Sequence, residues 1–117
     1  TSAARLLDGV LPDLGGRIVA QAVLVPVASV SCVDFHLVTE KRPGVEEVNV
    51  AFRAAGGVIG ATDRPLVSTD LRARPESVVM ACPETKVTDQ GLLRVFGWYD
   101  NEWGFSNRML DVATRMG

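Results

Sequence analysis

A run dense in Val, Ile and Ala, Arg17–Val27, is followed by a second strand-like run, Val30–Glu40, with only a short turn around Pro26, Ala28 and Ser29 between them. So short a connection cannot hold the crossover that a parallel pair needs, so the runs are expected to pair antiparallel. The first, apolar almost throughout, reads as a strand buried on both faces. Further strands are expected at Leu66–Leu71, Val78–Cys82 and Leu92–Tyr99, the last entered through the turn Asp89-Gln90-Gly91. Ser2–Leu11 places Ala3, Leu6, Leu7, Val10 and Leu11 on one helical face, with Thr1 or Ser2 as cap and Pro12 and Gly15-Gly16 as the stop. A second helix opens at Pro43-Gly44, aligns Val45, Val48, Phe52 and Ala55, carries Glu46 and Glu47 in its first turn and ends at Gly56-Gly57. Asp100 is suited to cap a closing helix along which Phe105, Met109, Val112 and Met116 recur.

These elements imply an α+β fold: a mostly antiparallel sheet with helices on one face and a C-terminal helix. With no repeat, linker or low-complexity stretch, residues 1–117 read as a single domain. The elements do not alternate as a dinucleotide-binding fold would, and no G-x-G-x-x-G follows a strand, so a complete NAD site is not encoded here.

Composition excludes several classes. The net charge is −2 and the twelve cations are scattered, so no basic stripe exists to neutralise phosphates and no nucleic-acid partner is expected. The longest apolar run, Ile18–Val30, is broken by Gln21, Pro26 and Ser29 and falls short of the roughly 18 residues that cross a bilayer. Without a membrane segment or a signal pattern, a soluble, cytoplasmic chain is expected. Cys32 and Cys82 sit in separate apolar stretches and read as free buried thiols. The chain begins with Thr1 rather than Met, which suggests a piece of something longer.

Cys32, Asp34 and His36 alternate onto one face of a strand and invite reading as nucleophile, acid and base. Residues i and i+4 of a strand lie about 13 Å apart, so Cys32 cannot bond His36 and the three cannot share a metal. They read instead as a polar sheet face meeting solvent or another subunit. Glu46 and Glu47 point about 100° apart on a helix and serve its dipole. Arg72 and Arg74, among Asp70, Pro75 and Glu76, read as exposed ion pairs in a loop. No metal site is expected.

The run from Trp98 to Arg108 is different in kind, with two tryptophans, an Asn between two acids and a Gly at a helix start. An Asn side chain has both an amide donor and a carbonyl acceptor, so at a strand-to-helix junction it can read a carboxamide, which presents the same two groups in reverse. The alternative is that Asp100 caps and the aromatics merely pack. From the residues alone both readings stand.

Here the chain closely resembles the glyceraldehyde-3-phosphate dehydrogenase family. WYDNEWGFSNRMLD is nearly that family's C-terminal signature. Upstream, TSAARLLDGVLPDLGGRI resembles its Thr-Gly-Ala-Ala helix, VLVPVASVSCVDFHL its following strands, and EVNVAFRAAGG and TDRPLVSTDL later segments in order. The resemblance implies the C-terminal part of a catalytic domain. In the family a cysteine thiolate attacks the aldehyde of a phosphorylated small aldose, a hydride passes to NAD, and inorganic phosphate releases the thioester as an acyl phosphate. The nucleophile, its partner histidine and the NAD-binding domain are all expected upstream, and neither cysteine here lies in a Ser-Cys-Thr-Thr-Asn stretch. This chain therefore has no catalytic residue of its own and is expected to be inactive alone.

What carries over is narrower. Asn101 matches the asparagine that holds the nicotinamide carboxamide, and Phe105 falls where many members have a tyrosine beside the ring. Thr1 matches a phosphate-binding threonine, with Ser2 in place of the neighbouring glycine. Leu24 stands where the family usually has an arginine that binds phosphate. The resemblance also implies a homotetramer built partly through the sheet. Two other readings compete: an erythrose-4-phosphate dehydrogenase, whose ending is similar and which has Phe at the equivalent of Phe105, and a diverged non-catalytic assembly or regulatory module.

Overall fold

The computed structural model describes the backbone of residues 2–117 and the side chains of residues 5–117. Helix α1 spans Ser2–Val10, strand β1 Ser31–Val38 and helix α2 Val45–Ala55. Strands β2 (Ile59–Thr62), β3 (Val78–Ala81), β4 (Lys86–Val87) and β5 (Leu92–Tyr99) follow, and helix α3 spans Trp103–Met116. Short 3₁₀ turns occupy Pro12–Leu14, Ser68–Leu71 and Cys82–Glu84.

The sheet is organised around β5, which joins antiparallel to β1 along its full length, Ser31 facing Tyr99 and Val38 facing Leu92. Its other edge takes β3 near the C-terminal end (Val79 opposite Trp98) and β4 near the start (Lys86 opposite Arg94). Only β2 on β3 is parallel, so the sheet is mostly antiparallel, in the order β1-β5-β3-β2.

The strand period sorts β5 into two faces. Leu93, Val95 and Gly97 are buried, whereas Arg94, Phe96 and Trp98 are half-buried on the reverse. The first face packs with Met80 under α2, which sends down Val48 and Phe52 at helical spacing. A smaller cluster of Val30, Leu71 and Val79, backed by Leu66 and Trp98, forms the second centre of the core. Asn49, on the inner side of α2, is only 5% exposed. Its Nδ2 donates to the Cys82 carbonyl at 3.1 Å, and its Oδ1 accepts from the Thr85 hydroxyl at 2.7 Å. This buried pair of bonds locks α2 to the turn that follows β3.

Several expectations are corrected. Arg17–Val27 forms no strand: it runs as irregular chain, with Val19 93%, Val23 81% and Leu24 99% exposed. β-propensity needs a neighbouring edge and a covered face, and among the described residues no strand pairs with this run. Leu66–Leu71 is a turn rather than a strand, because Asp70 competes for the backbone: its carboxylate accepts from the Val67 N–H at 2.9 Å while its own N–H donates to the Val67 carbonyl at 3.0 Å. Cys32 is exposed rather than buried, on the sheet face opposite α2; Cys82 is buried as expected, and burial pushes its thiol pKa up.

No helix among the described residues is long and apolar enough to cross a membrane. The apolar stripe of α3 is laid out as its spacing predicts, yet Phe105, Met109, Val112 and Met116 are 65%, 58%, 56% and 83% exposed. The apolar face of α1 is likewise open at Leu6 and Val10.

Candidate functional site

The junction between β5 and α3 is built by one carboxylate. Oδ1 of Asp100 accepts from the backbone N–H of Trp103 at 3.0 Å and of Glu102 at 3.2 Å. Oδ2 accepts from the Ala73 N–H, across the turn, at 2.9 Å. The Asp100 carbonyl takes the first helical bond, from Gly104 N–H at 2.8 Å. Asp100 thus does the work of a cap, satisfying donors that a helix start leaves free. The Trp103 amide first, then those of Ala73 and Glu102, with Arg72 nearby, hold its carboxyl below the ordinary aspartate value.

A depressed carboxylate contributes stability that is complete above its unfolded value, near 3.9, and is lost as pH falls through the folded value. Between about pH 5 and pH 2, wild type should therefore lose more thermal stability than Asp100→Asn, which has no proton to gain. Parallel melting curves across that range check this; equal slopes would remove Asp100 from the acid response.

Asn101 sits on the turn that these bonds enclose, exposed, and its carboxamide takes no partner among the described residues. Phe105 follows four residues on, in the first turn of α3, and stands largely in the open. Both residues thus stand exposed at the same helix start. A concavity of about 370 Å³ at this junction is lined by Ser29, Arg72, Ala73, Asp100, Glu102, Trp103 and Ser106, and Asn101 and Phe105 stand outside that lining. The donor set suits a nicotinamide: Asn101 offers one donor and one acceptor to a carboxamide, and Phe105 offers the ring an apolar surface.

The phosphate-binding expectations fare differently. Thr1 lies outside the described residues, as does the Ser2 side chain, although the Ser2 backbone opens α1. Leu24 projects into solvent from the irregular 17–27 run. Ala73 was not legible as part of the junction, since a non-glycine residue at φ 57° has no sequence signal; only the acceptor, Asp100, announced itself.

On the sheet face opposite α2, Asp34 serves Arg94 and no catalytic pair. Arg94 grips it with Nε to Oδ1 at 2.9 Å and Nη2 to Oδ2 at 3.0 Å, and reaches Glu84 Oε2 with Nη1 at 3.0 Å. The Arg94 bonds lower the Asp34 pKa. His36 Nε2 lies 3.4 Å from the same Asp34 Oδ1. Arg94 also stacks over Phe96, which meets Trp98 edge to face at 5.0 Å. Among the described residues no three His, Cys, Asp or Glu side chains gather as a metal site. Arg74 pairs with Glu76, as the loop composition suggests.

Comparison with known proteins gives the family of the chain. Residues 1–101 match the family described as glyceraldehyde 3-phosphate dehydrogenase, C-terminal domain. The chain is 43% identical to a glyceraldehyde-3-phosphate dehydrogenase of Xanthobacter flavus, with 100% of the chain and 36% of that protein aligned. It is 44% identical to that of Zymomonas mobilis, over 99% of the chain and 36% of the relative. Glyceraldehyde-3-phosphate dehydrogenase 2 of Staphylococcus aureus gives 44%, over 100% of the chain and 35% of the relative. The chain thus spans about a third of the length of the curated relatives it matches. It belongs to the C-terminal-domain family of the glyceraldehyde-3-phosphate dehydrogenases.

Proposed function

We infer that this chain serves as the C-terminal part of the catalytic domain of an NAD-dependent, phosphorylating aldose-phosphate dehydrogenase, and that Asn101 and Phe105 complete its nicotinamide pocket. The observation that carries the reading is the exposed carboxamide of Asn101 at a pinned helix start with Phe105 one turn along. Glyceraldehyde 3-phosphate is the substrate, with inorganic phosphate as second reactant. The nucleophile and the dinucleotide-binding domain come from the preceding part of the longer protein, so the 117 residues alone have no turnover. The open apolar stripe of α3 is covered there by the dinucleotide domain, and the sheet face carrying Arg94 contributes to a homo-oligomer. The protein acts in the cytoplasm, in glycolysis.

Turnover of the full-length protein with NAD and phosphate, on glyceraldehyde 3-phosphate and on erythrose 4-phosphate, tests the assignment. Preference for the first supports it, and preference for the second transfers the chain to the erythrose-4-phosphate enzymes. No turnover on either leaves the assembly-module reading, which Leu24 favours, because leucine gives phosphate neither charge nor donors. A charge-assisted contact is worth about 1.5–3 kcal/mol, so Leu24→Arg should tighten phosphate binding by roughly ten- to a hundred-fold. An unchanged KM for phosphate in that variant would show that position 24 faces no phosphate.

A further inference from the structure

We propose that Asp100 is a positioning residue for the cofactor: its carboxylate ties the turn bearing Asn101 to the Arg72–Arg74 loop and so aims the Asn101 carboxamide without touching the cofactor. The proposal rests on the reading of Asn101 given above.

The geometry is that of a clamp. The two oxygens of Asp100 face different elements, Oδ1 toward the amides of Glu102 and Trp103, Oδ2 toward that of Ala73. Asn101 lies between Asp100 and the two amides it holds, inside a ring that the Gly104 N–H to Asp100 carbonyl bond closes again. Its backbone is therefore held from both sides while its side chain remains open. The far anchor is itself constrained: Ala73 has φ 57°, a left-handed conformation that a residue with a Cβ adopts only when its surroundings fix it.

Two further contacts run along the same seam. A Cβ on Gly104 would lie 2.9 Å from the Glu76 carbonyl oxygen, so the helix start sits flush on that backbone, where only glycine fits. One turn later Arg108 Nη1 donates to the Ser77 hydroxyl at 3.3 Å. Residues 72–77 and 100–108 thus meet at three successive points, of which Asp100 is the one adjoining Asn101. A carboxamide reading another carboxamide needs both hydrogen bonds in register, within about 0.5 Å and 10–20°. If Asp100 is cut back, Asn101 keeps its chemistry and loses its aim.

The test is NAD affinity by fluorescence titration of the full-length dehydrogenase, with thermal melting of each variant alongside. Asp100→Ala and Asn101→Ala should each weaken NAD about ten-fold, and the double variant should be no weaker than Asn101→Ala alone, because the first acts through the second. The KM for aldose phosphate should stay within about two-fold. Asp100→Asn keeps an acceptor for α3 but turns an amide N–H against that of Ala73, and should fall between, at about three-fold. If Asp100→Ala does not fold, Asp100→Asn with and without Asn101→Ala makes the same comparison. Additive losses would mean that Asp100 acts on NAD independently of Asn101, and a lowered Tm with NAD affinity unchanged would reduce Asp100 to a structural cap; either result overturns the proposal. Wild-type affinity in Asn101→Ala would instead remove the Asn101 reading, and this proposal with it.

Discussion

Gly97→Val should destabilise the fold by about 3 kcal/mol or more, enough to leave a domain of this size largely unfolded at moderate temperature. Gly97 lies toward the C-terminal end of β5, opposite Met80 of β3, on the face covered by α2. A Cβ there would stand 2.6 Å from Val78 Cγ2 and 3.0 Å from Met80 Sδ. The Met80 thioether can swing aside; the branched Val78, stiff at χ1, cannot without leaving its packing. The strands would have to part where the central strand meets β3. Adding Val78→Ala removes the nearer obstacle and should restore part of the loss. Urea unfolding of the three proteins measures this, and a Gly97→Val curve within about 0.5 kcal/mol of wild type would contradict the packing described.

Asn49→Leu is the second large effect, and its cause is chemical rather than steric. Leucine approximates the volume but leaves the Thr85 hydroxyl, 3% exposed, with no acceptor, and takes one donor from the Cys82 carbonyl. The Cys82 carbonyl retains the Thr85 N–H at 3.2 Å, so most of the penalty falls on the hydroxyl. A buried polar group stripped of its partner costs about 1–3 kcal/mol, and the lost bond to Cys82 brings the expected total to about 2–4 kcal/mol. Replacing the partner as well, in Asn49→Leu with Thr85→Val, should recover much of it, since two apolar groups of matching shape leave nothing unpaired. A double variant as unstable as the single would place the cost elsewhere in α2.

These two residues also mark what the sequence could not convey. The helical spacing of Val48 and Phe52 made α2 legible, but nothing local said that Asn49 would point inward toward a turn 33 residues on. β5 was legible to the residue, because a Gly91 turn, an eight-residue apolar alternation and the Asp100 cap all agree. β2 was not, since Ile59–Thr62 is short, holds a glycine and earns its strand only by lying parallel to β3. Arg17–Val27 shows the converse: high propensity, but no pairing edge. Of the candidate site, Asn101 and Phe105 came from the resemblance together with the chemistry of a carboxamide. The clamp through Ala73 joins residues 27 apart, and only the folded chain brings them together.

If Asn101 reads a carboxamide, changing that group on the cofactor should abolish the effect of the residue. In 3-acetylpyridine adenine dinucleotide a methyl ketone replaces the carboxamide, keeping the acceptor and losing the N–H donors. The affinities of NAD and this analogue should be measured for full-length protein, wild type and Asn101→Ala. Wild type is expected to prefer NAD by about ten-fold, and Asn101→Ala to show little preference, because the residue that tells the two apart is gone. The same preference in both proteins would mean that Asn101 does not touch the carboxamide, and the assignment of this junction as the nicotinamide site would be wrong.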